Sequence, residues 1–214
     1  MTAVKISVSN SDIARVRALL SEVSGGAELA ISRAVNQGIS TGRTQGVKEI
    51  GKILNLKASR IKKDFDSRPA SKSNLSGAVW AKGRPVGLLN FGARAVKSGY
   101  SVKVYRSGKR SLLKHAFKAR TKKVKNDGTT YETEHLWWRK YDGPRSGTGT
   151  LHVGYFSRLP SDHYLKIPLK RLQSLRIEDV LARDEVLGKV QAEASEKMQT
   201  KLMVETERIL ARNG

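Results

Sequence analysis

Four side chains in this sequence have types and spacing that could do chemistry: Glu132, Glu134, His135 and His152. Carboxylates and imidazoles together can hold a divalent cation and activate its bound water, as a nuclease does. Two-metal sites usually need more carboxylates than these, and the basic run from Ser67 to Asn126 has none to add. The set therefore also reads as one charged arm of a hairpin with ordinary surface histidines. His115 and His163 complete the four histidines, and no H-E-x-x-H pair or closely spaced ligand set occurs. Ser157 and Ser161 lie near His163, but outside any G-x-S-x-G elbow. Phosphate-cradling glycine motifs are absent. With no cysteine, disulfide scaffolds, zinc ribbons, iron–sulfur clusters and thiol nucleophiles are excluded. The expectation is no catalytic residue, no metal, no cofactor and no small-molecule substrate.

What stands out instead is charge. The 214 residues carry 41 Lys and Arg against 19 Asp and Glu, a formal net charge of +22. Such an excess speaks of partners, not of fold. It is also uneven. From Ser67 to Asn126 there is no acidic residue, and the run includes Arg106, Lys109, Arg110, Lys114, Lys118, Arg120, Lys122, Lys123 and Lys125. These nine are the candidate contacts to DNA or to an acidic protein, because clustered cations neutralise phosphates and release counterions. From Arg176 onward, eight acids meet seven bases, the balance of an ordinary helical surface. No zinc finger, RNP or KH signature accompanies the basic run, and few of its residues are aromatic, which argues against a single-strand stacking platform. The longest apolar runs are a few residues, far short of the ~20 that cross a bilayer, so no membrane partner is expected. The N-terminus lacks a signal-peptide pattern, so synthesis in the cytoplasm is expected.

These residues must be positioned by a scaffold, and the periodicity predicts an α+β chain. Val4–Val8 alternates as a strand. Asn10-Ser11-Asp12 offers an N-cap to a helix reaching Ser24, and Gly25-Gly26 breaks it. A long helix from Ala27 to Leu54 carries Ala30, Ala34, Gly38, Gly42 and Gly46 four apart, a ridge of the smallest side chains on one face. Glycine costs a helix about 0.5–1 kcal/mol relative to alanine, so three in register imply a compensating close approach by another backbone or a sheet. Asn55–Phe65 reads as a short basic helix and residues 67–74 as a linker. The period then falls to two, predicting strands over Leu75–Ala81, Val86–Phe91, Ser101–Arg106, Leu112–Ala119 and Leu151–Phe156. Leu165–Leu169 is expected to be extended.

Asp127-Gly128 between two Thr/Val/Tyr-rich arms is the strongest hairpin signal. One arm is basic and the other carries Glu132 and Glu134, so opposed strands would partly neutralise each other. Trp137 and Trp138 at its base are expected to dock on something apolar. Leu187, Val190, Ala194, Met198, Leu202, Ile209 and Leu210 stripe a final helix. The expected order is a helical segment over 1–66, a basic β-rich core over 67–170 with a hairpin arm at about 117–139, and a helical segment over 171–214. Together they are expected to form one domain around a mostly antiparallel sheet or small barrel.

Three blocks also carry a family resemblance. The first is Ala30-Ile31-Ser32-Arg33-Ala34-Val35 leading through Gly38-Ile39-Ser40 to Lys57-Ala58-Ser59-Arg60-Ile61-Lys62-Lys63. The second is Arg84-Pro85-Val86-Gly87-Leu88-Leu89-Asn90-Phe91-Gly92-Ala93-Arg94, with Ser101-Val102-Lys103-Val104 and Leu113-Lys114-His115-Ala116-Phe117. The third is Leu165-Lys166-Ile167-Pro168-Leu169-Lys170-Arg171-Leu172. Together they resemble the minor tail protein Z, or tail completion, family of tailed bacteriophages. Two departures stand out: the stretch from Arg120 to Gly149 is longer than the usual insert, and Gln173-Ser174-Leu175-Arg176 replaces the usual Gly-Pro.

The resemblance implies a virion structural protein at the head-proximal end of the tail, made in the host cytoplasm. It implies a ring of identical subunits, with six copies expected, around the genomic DNA channel. The partners would be the chain itself, tail tube or terminator proteins and head-connector proteins. On this view Lys118, Arg120, Lys122, Lys123 and Lys125 line the channel or grip phosphates, or else meet an acidic ring of an adjoining protein. The alternative is a free-standing basic nucleic-acid-binding protein, which would bind duplex or RNA tightly with a steep salt dependence.

Overall fold

The computed structural model describes residues 3–142, 150–152 and 169–213. The readings at Ser157, Ser161 and His163, at 143–149, 153–156 and 165–168, and for the side chains of Lys123, Trp138 and His152 lie outside the described residues. The chain is α+β, with helices at both ends and antiparallel sheets. It divides into two units, residues 1–52, 57–84 and 176–214 in the first, and 53–56 and 85–175 in the second. No helix among the described residues is long and apolar enough to cross a membrane.

The first unit contains β1 (Ala3–Ser7), α1 (Asn10–Leu19), α2 (Gly26–Ile53), α3 (Ala58–Lys62), β2 (Phe65–Arg68), β3 (Ser76–Ala81), α4 (Ile177–Leu181) and α5 (Asp184–Asn213). The cap of α1 is Ser9, not the Asn10-Ser11-Asp12 run. Ser9 is extended, and its Oγ accepts the Asp12 N–H at 3.1 Å. The helix also stops at Leu19, short of Ser24. Phe65 belongs to β2 and not to the preceding helix, and β2 reaches into the predicted linker. It pairs antiparallel with β3, which also pairs with β1, in the order β1-β3-β2. In β3, Gly77, Val79 and Ala81 are buried in strict alternation.

β3 lies in the segment predicted to be the β-rich core, yet it finds its partners, β1 and β2, on the N-terminal side. Among the described residues the antiparallel strands form four sheets.

α2 fills the middle of this unit. Ala30, Ala34, Gly38, Gly42 and Gly46 are all buried. A Cβ on Gly38 would lie 3.0 Å from Ile6 of β1 and 3.2 Å from the Ala194 carbonyl of α5; one on Gly46 would lie 2.9 Å from the Phe65 ring. The ridge thus admits both a sheet and a second helix backbone. At Gly38 and Gly42 it meets Ala194 and Met198, which stand four apart on the buried stripe of α5. The buried stripe of α5 begins at Val186 rather than Leu187, which is half-buried, and Leu210 is exposed. Off the apolar rows, Asn36 makes a two-way latch: its Nδ2 donates to the Ala70 carbonyl and its Oδ1 accepts the Ala70 N–H. Glu205, with a 2% exposed side chain, accepts from Arg33 at 2.8 Å and pairs with Lys201 at 2.8 Å.

The second unit contains β4 (Pro85–Gly87), a 3-10 turn at Leu88–Asn90, and β5 (Arg94–Val96). β6 (Gly99–Val102), β7 (Ser111–Lys114), β8 (Phe117–Val124) and β9 (Thr130–Asp142) follow. β10 (Thr150–His152), β11 (Leu169–Arg171) and β12 (Gln173–Arg176) complete it. The predicted strand Val86–Phe91 is mostly the 3-10 turn, which ends where Gly92 takes a positive φ of 60°. β7 and β8 are distinct because His115, also at φ 60°, bends the chain between them. Residues 53–56 join this unit by backbone bonds: the Asn55 N–H donates to the Val104 carbonyl at 2.8 Å, and the Arg106 N–H to the Ile53 carbonyl at 3.0 Å.

Candidate functional site

The hairpin of β8 and β9 carries most of the predicted site. Its turn is a three-residue loop, Asn126-Asp127-Gly128, closed by Lys125 and Thr129 and finished by Gly128 at φ 79°. Asp127 accepts the Thr129 N–H at 2.8 Å, and hydrogen bonds from Thr129 hold its carboxyl below the usual range. The register sets Arg120 opposite Glu134 and Lys122 opposite Glu132. Strand alternation then puts Lys118, Arg120, Lys122, Glu132 and Glu134 on one face.

They form a zipper. Lys118 reaches Glu134 at 2.7 Å, Arg120 reaches Glu134 at 3.0 Å and Glu132 at 3.8 Å, and Lys122 lies 3.8 Å from Glu132. Hydrogen bonds from Lys118 and then Arg120 hold the Glu134 carboxyl below its ordinary range. Three cations thus share two carboxylates, and the face is only weakly positive. The backbone of Lys123 pairs with Tyr131 across the ladder. Lys125, at the turn, has its ammonium 5.9 Å from the Tyr131 ring centroid. Of the five clustered cations, three are paired with these two carboxylates.

The other four candidates surround the sheet β5-β6-β7. Arg110 is used internally: its guanidinium donates to the Gly92 and Ser101 carbonyls, both at 2.7 Å, and to Ser101 Oγ at 3.0 Å. Arg106 donates from Nε to the Leu54 carbonyl at 3.3 Å. Lys109 and Lys114 are exposed and make no ion pair among the described residues. Register places Arg94, Val96, Leu112 and Lys114 on one face of this sheet, and all four are exposed.

Arg94 and Lys97 lie in the same acid-free run and are likewise exposed without an ion pair among the described residues, but they were not among the nine candidates. The signal was there, in the alternation of Arg94-Ala95-Val96, but reading it required the strand pairing. Asn55 escaped the sequence reading. Its Nδ2 donates to the carbonyls of Phe91 and Lys103, 36 and 48 residues away, and so orients the loops that flank the cationic sheet. No local pattern announces such a role.

Trp137 stands opposite Phe117 and Arg171, and meets His135 edge to face at a centroid distance of 6.2 Å. Its indole N–H is buried without a hydrogen-bond partner among the described residues.

Among the metal-binding candidates, strand alternation sets Glu132 and Glu134 apart from His135. Glu132 and Glu134 point to the zipper face, His135 to the opposite face, and His152 lies on β10, opposite Lys140. Among the described residues no group of three or more histidines and carboxylates is arranged to hold an ion. What the surface offers is fixed positive charge at exposed positions, flanked by apolar side chains, and it suits contact with a polyanion or an acidic protein face. No protein-family model, no curated protein and no solved structure matches this chain.

Proposed function

We propose that this chain is a structural subunit of a phage tail, a tail-completion or neck protein that forms a ring around the DNA channel and joins the tail tube to the head connector. The observation that carries the reading is the division of charge. The second unit holds 19 Lys and Arg against 5 Asp and Glu, and the first holds 22 against 14. The tail-completion resemblance supports it, since its motif blocks lie on α2, α3, the β4 turn and β6. The free cations Arg94, Lys97, Lys109 and Lys114 are the preferred contacts to phosphate or to an acidic neighbour, ahead of the paired Lys118, Arg120 and Lys122.

Particles assembled with and without the chain test the reading by electron microscopy. Without it, tails should fail to join filled heads or should lose DNA after joining; normal, DNA-retaining particles would overturn it. Tight binding of free duplex by a monomer, steeply weakened by salt, would instead favour the free-standing nucleic-acid-binding protein.

A further inference from the structure

An apolar groove runs between α1 and the C-terminal half of α5 in the first unit. It has a volume of about 410 Å³, and its lining includes Leu19, Leu202, Met203 and Leu210, with Asp12, Arg15 and Glu207 at its polar positions. Leu19 is 52% exposed and Met203 63%. Burying such side chains is favourable by roughly 25 cal/mol per Å², so a groove of this kind attracts an apolar occupant. Two carboxylates to one guanidinium also make it locally acidic, in a chain with 41 bases and 19 acids. Glu207 makes no ion pair among the described residues.

The same chain carries a complementary element. At the end of the β8–β9 hairpin, Val124 is 68% exposed and Tyr131 40% exposed, on opposite faces of the ribbon. Lys125 stands between them without a carboxylate partner among the described residues. The acid of the tip, Asp127, is turned back onto the Thr129 N–H. The ion-pair zipper holds the ribbon in shape behind the tip, so docking it would order few additional side chains.

We infer that the hairpin tip of one copy of this chain docks into the α1/α5 groove of a second copy, with Val124 and Tyr131 covering Leu19, Met203 and Leu210, and Lys125 meeting Glu207. Tip and groove are different surfaces, so the contact is heterologous: each copy offers a tip to one neighbour and a groove to another. Repeated with rotation, such contacts close into a ring or run into a filament. The inference deepens the ring reading above and rests on it only for closure.

The chain has no cysteine, so cross-linking can be clean. Val124→Cys and Met203→Cys are made in separate full-length chains of different tag size, mixed, and oxidised. Both positions are exposed, so folding should survive, and circular dichroism checks it. The expected result is a mixed dimer band well above either same-chain dimer, removed by reductant. Val124→Ser/Tyr131→Ser should also weaken self-association at least about tenfold by sedimentation.

Self-association with no mixed cross-link overturns this contact and leaves the ring reading standing. If Val124→Cys and Met203→Cys in one chain close only within that chain, the groove is covered by its own hairpin and the inference fails. A chain that remains monomeric in every variant also overturns it, whereas the ring reading is judged separately by the particles.

Discussion

The two units of the chain solve different problems. Among the described residues, the first buries twenty-six apolar side chains and the second eight. The first is organised around α2, whose glycine ridge lets a sheet and a helix approach its backbone. The second is assembled from short strands, backbone latches and ion pairs, with most of its charge unopposed. Polar groups such as Asn55 and Arg110 tie its loops and strands together through hydrogen bonds to backbone carbonyls. The comparison teaches that the scaffold and the contact surface are separable. Packing changes should act on stability through the first unit, and charge changes on binding through the second.

Substitution of the ridge is the strongest way to break this division. Gly38→Val sets a branched side chain against Ile6 and the Ala194 carbonyl, and should cost about 3 kcal/mol or more of unfolding free energy, read by thermal or urea denaturation. A loss below about 1 kcal/mol would mean the ridge is not tightly packed.

Glu205→Gln should come next, at about 2 kcal/mol, because charge-assisted bonds from Lys201 and Arg33 are lost in a buried position. Those bonds, from Lys201 first and then Arg33, hold the folded carboxyl below its ordinary value of 4.5. A lowered folded pKa gives stability that is present above the unfolded value and lost as pH falls through the folded one. The gap in melting temperature between wild type and Glu205→Gln should therefore close below about pH 4.5. A gap that stays constant to pH 3 would remove the assignment.

Gly42→Ala sharpens the comparison with an opposite sign. A Cβ there meets Ala194, Ile6 and Val79 at 3.5–3.6 Å, an ordinary contact distance. The gain in helix propensity should then stabilise the protein by roughly 0.5–1 kcal/mol. Destabilisation would show that the ridge is closed along its full length.

The smallest effect on stability is expected in the second unit. Glu132→Gln/Glu134→Gln frees Lys118, Arg120 and Lys122 with little change in unfolding free energy, because the pairs are solvent-exposed. Polyanion binding should tighten, and its log–log salt slope should steepen by about 0.9 for each added phosphate contact. Arg94→Gln, Lys97→Gln, Lys109→Gln and Lys114→Gln together should flatten that slope more than Lys118→Gln, Arg120→Gln and Lys122→Gln do. The reverse ranking would return the contact role to the hairpin.

Local patterns determined much of this protein. The 3.6-residue stripe of α2, the break at Gly25-Gly26, the Asp127-Gly128 turn and the opposition of basic and acidic arms are all readable from neighbours in sequence. Helix faces and hairpin registers are set by contacts within a few residues. Tertiary structure decided the rest. β3 joined the N-terminal strand across some seventy residues, a pairing that no local pattern announces. Alternation across β9 separated His135 from Glu132 and Glu134. Which cations are neutralised, and which stand free, depends on where the few carboxylates of the second unit fall once the strands pair. A count of lysines and arginines carries no such information, because charge is additive along a chain while neutralisation depends on distance.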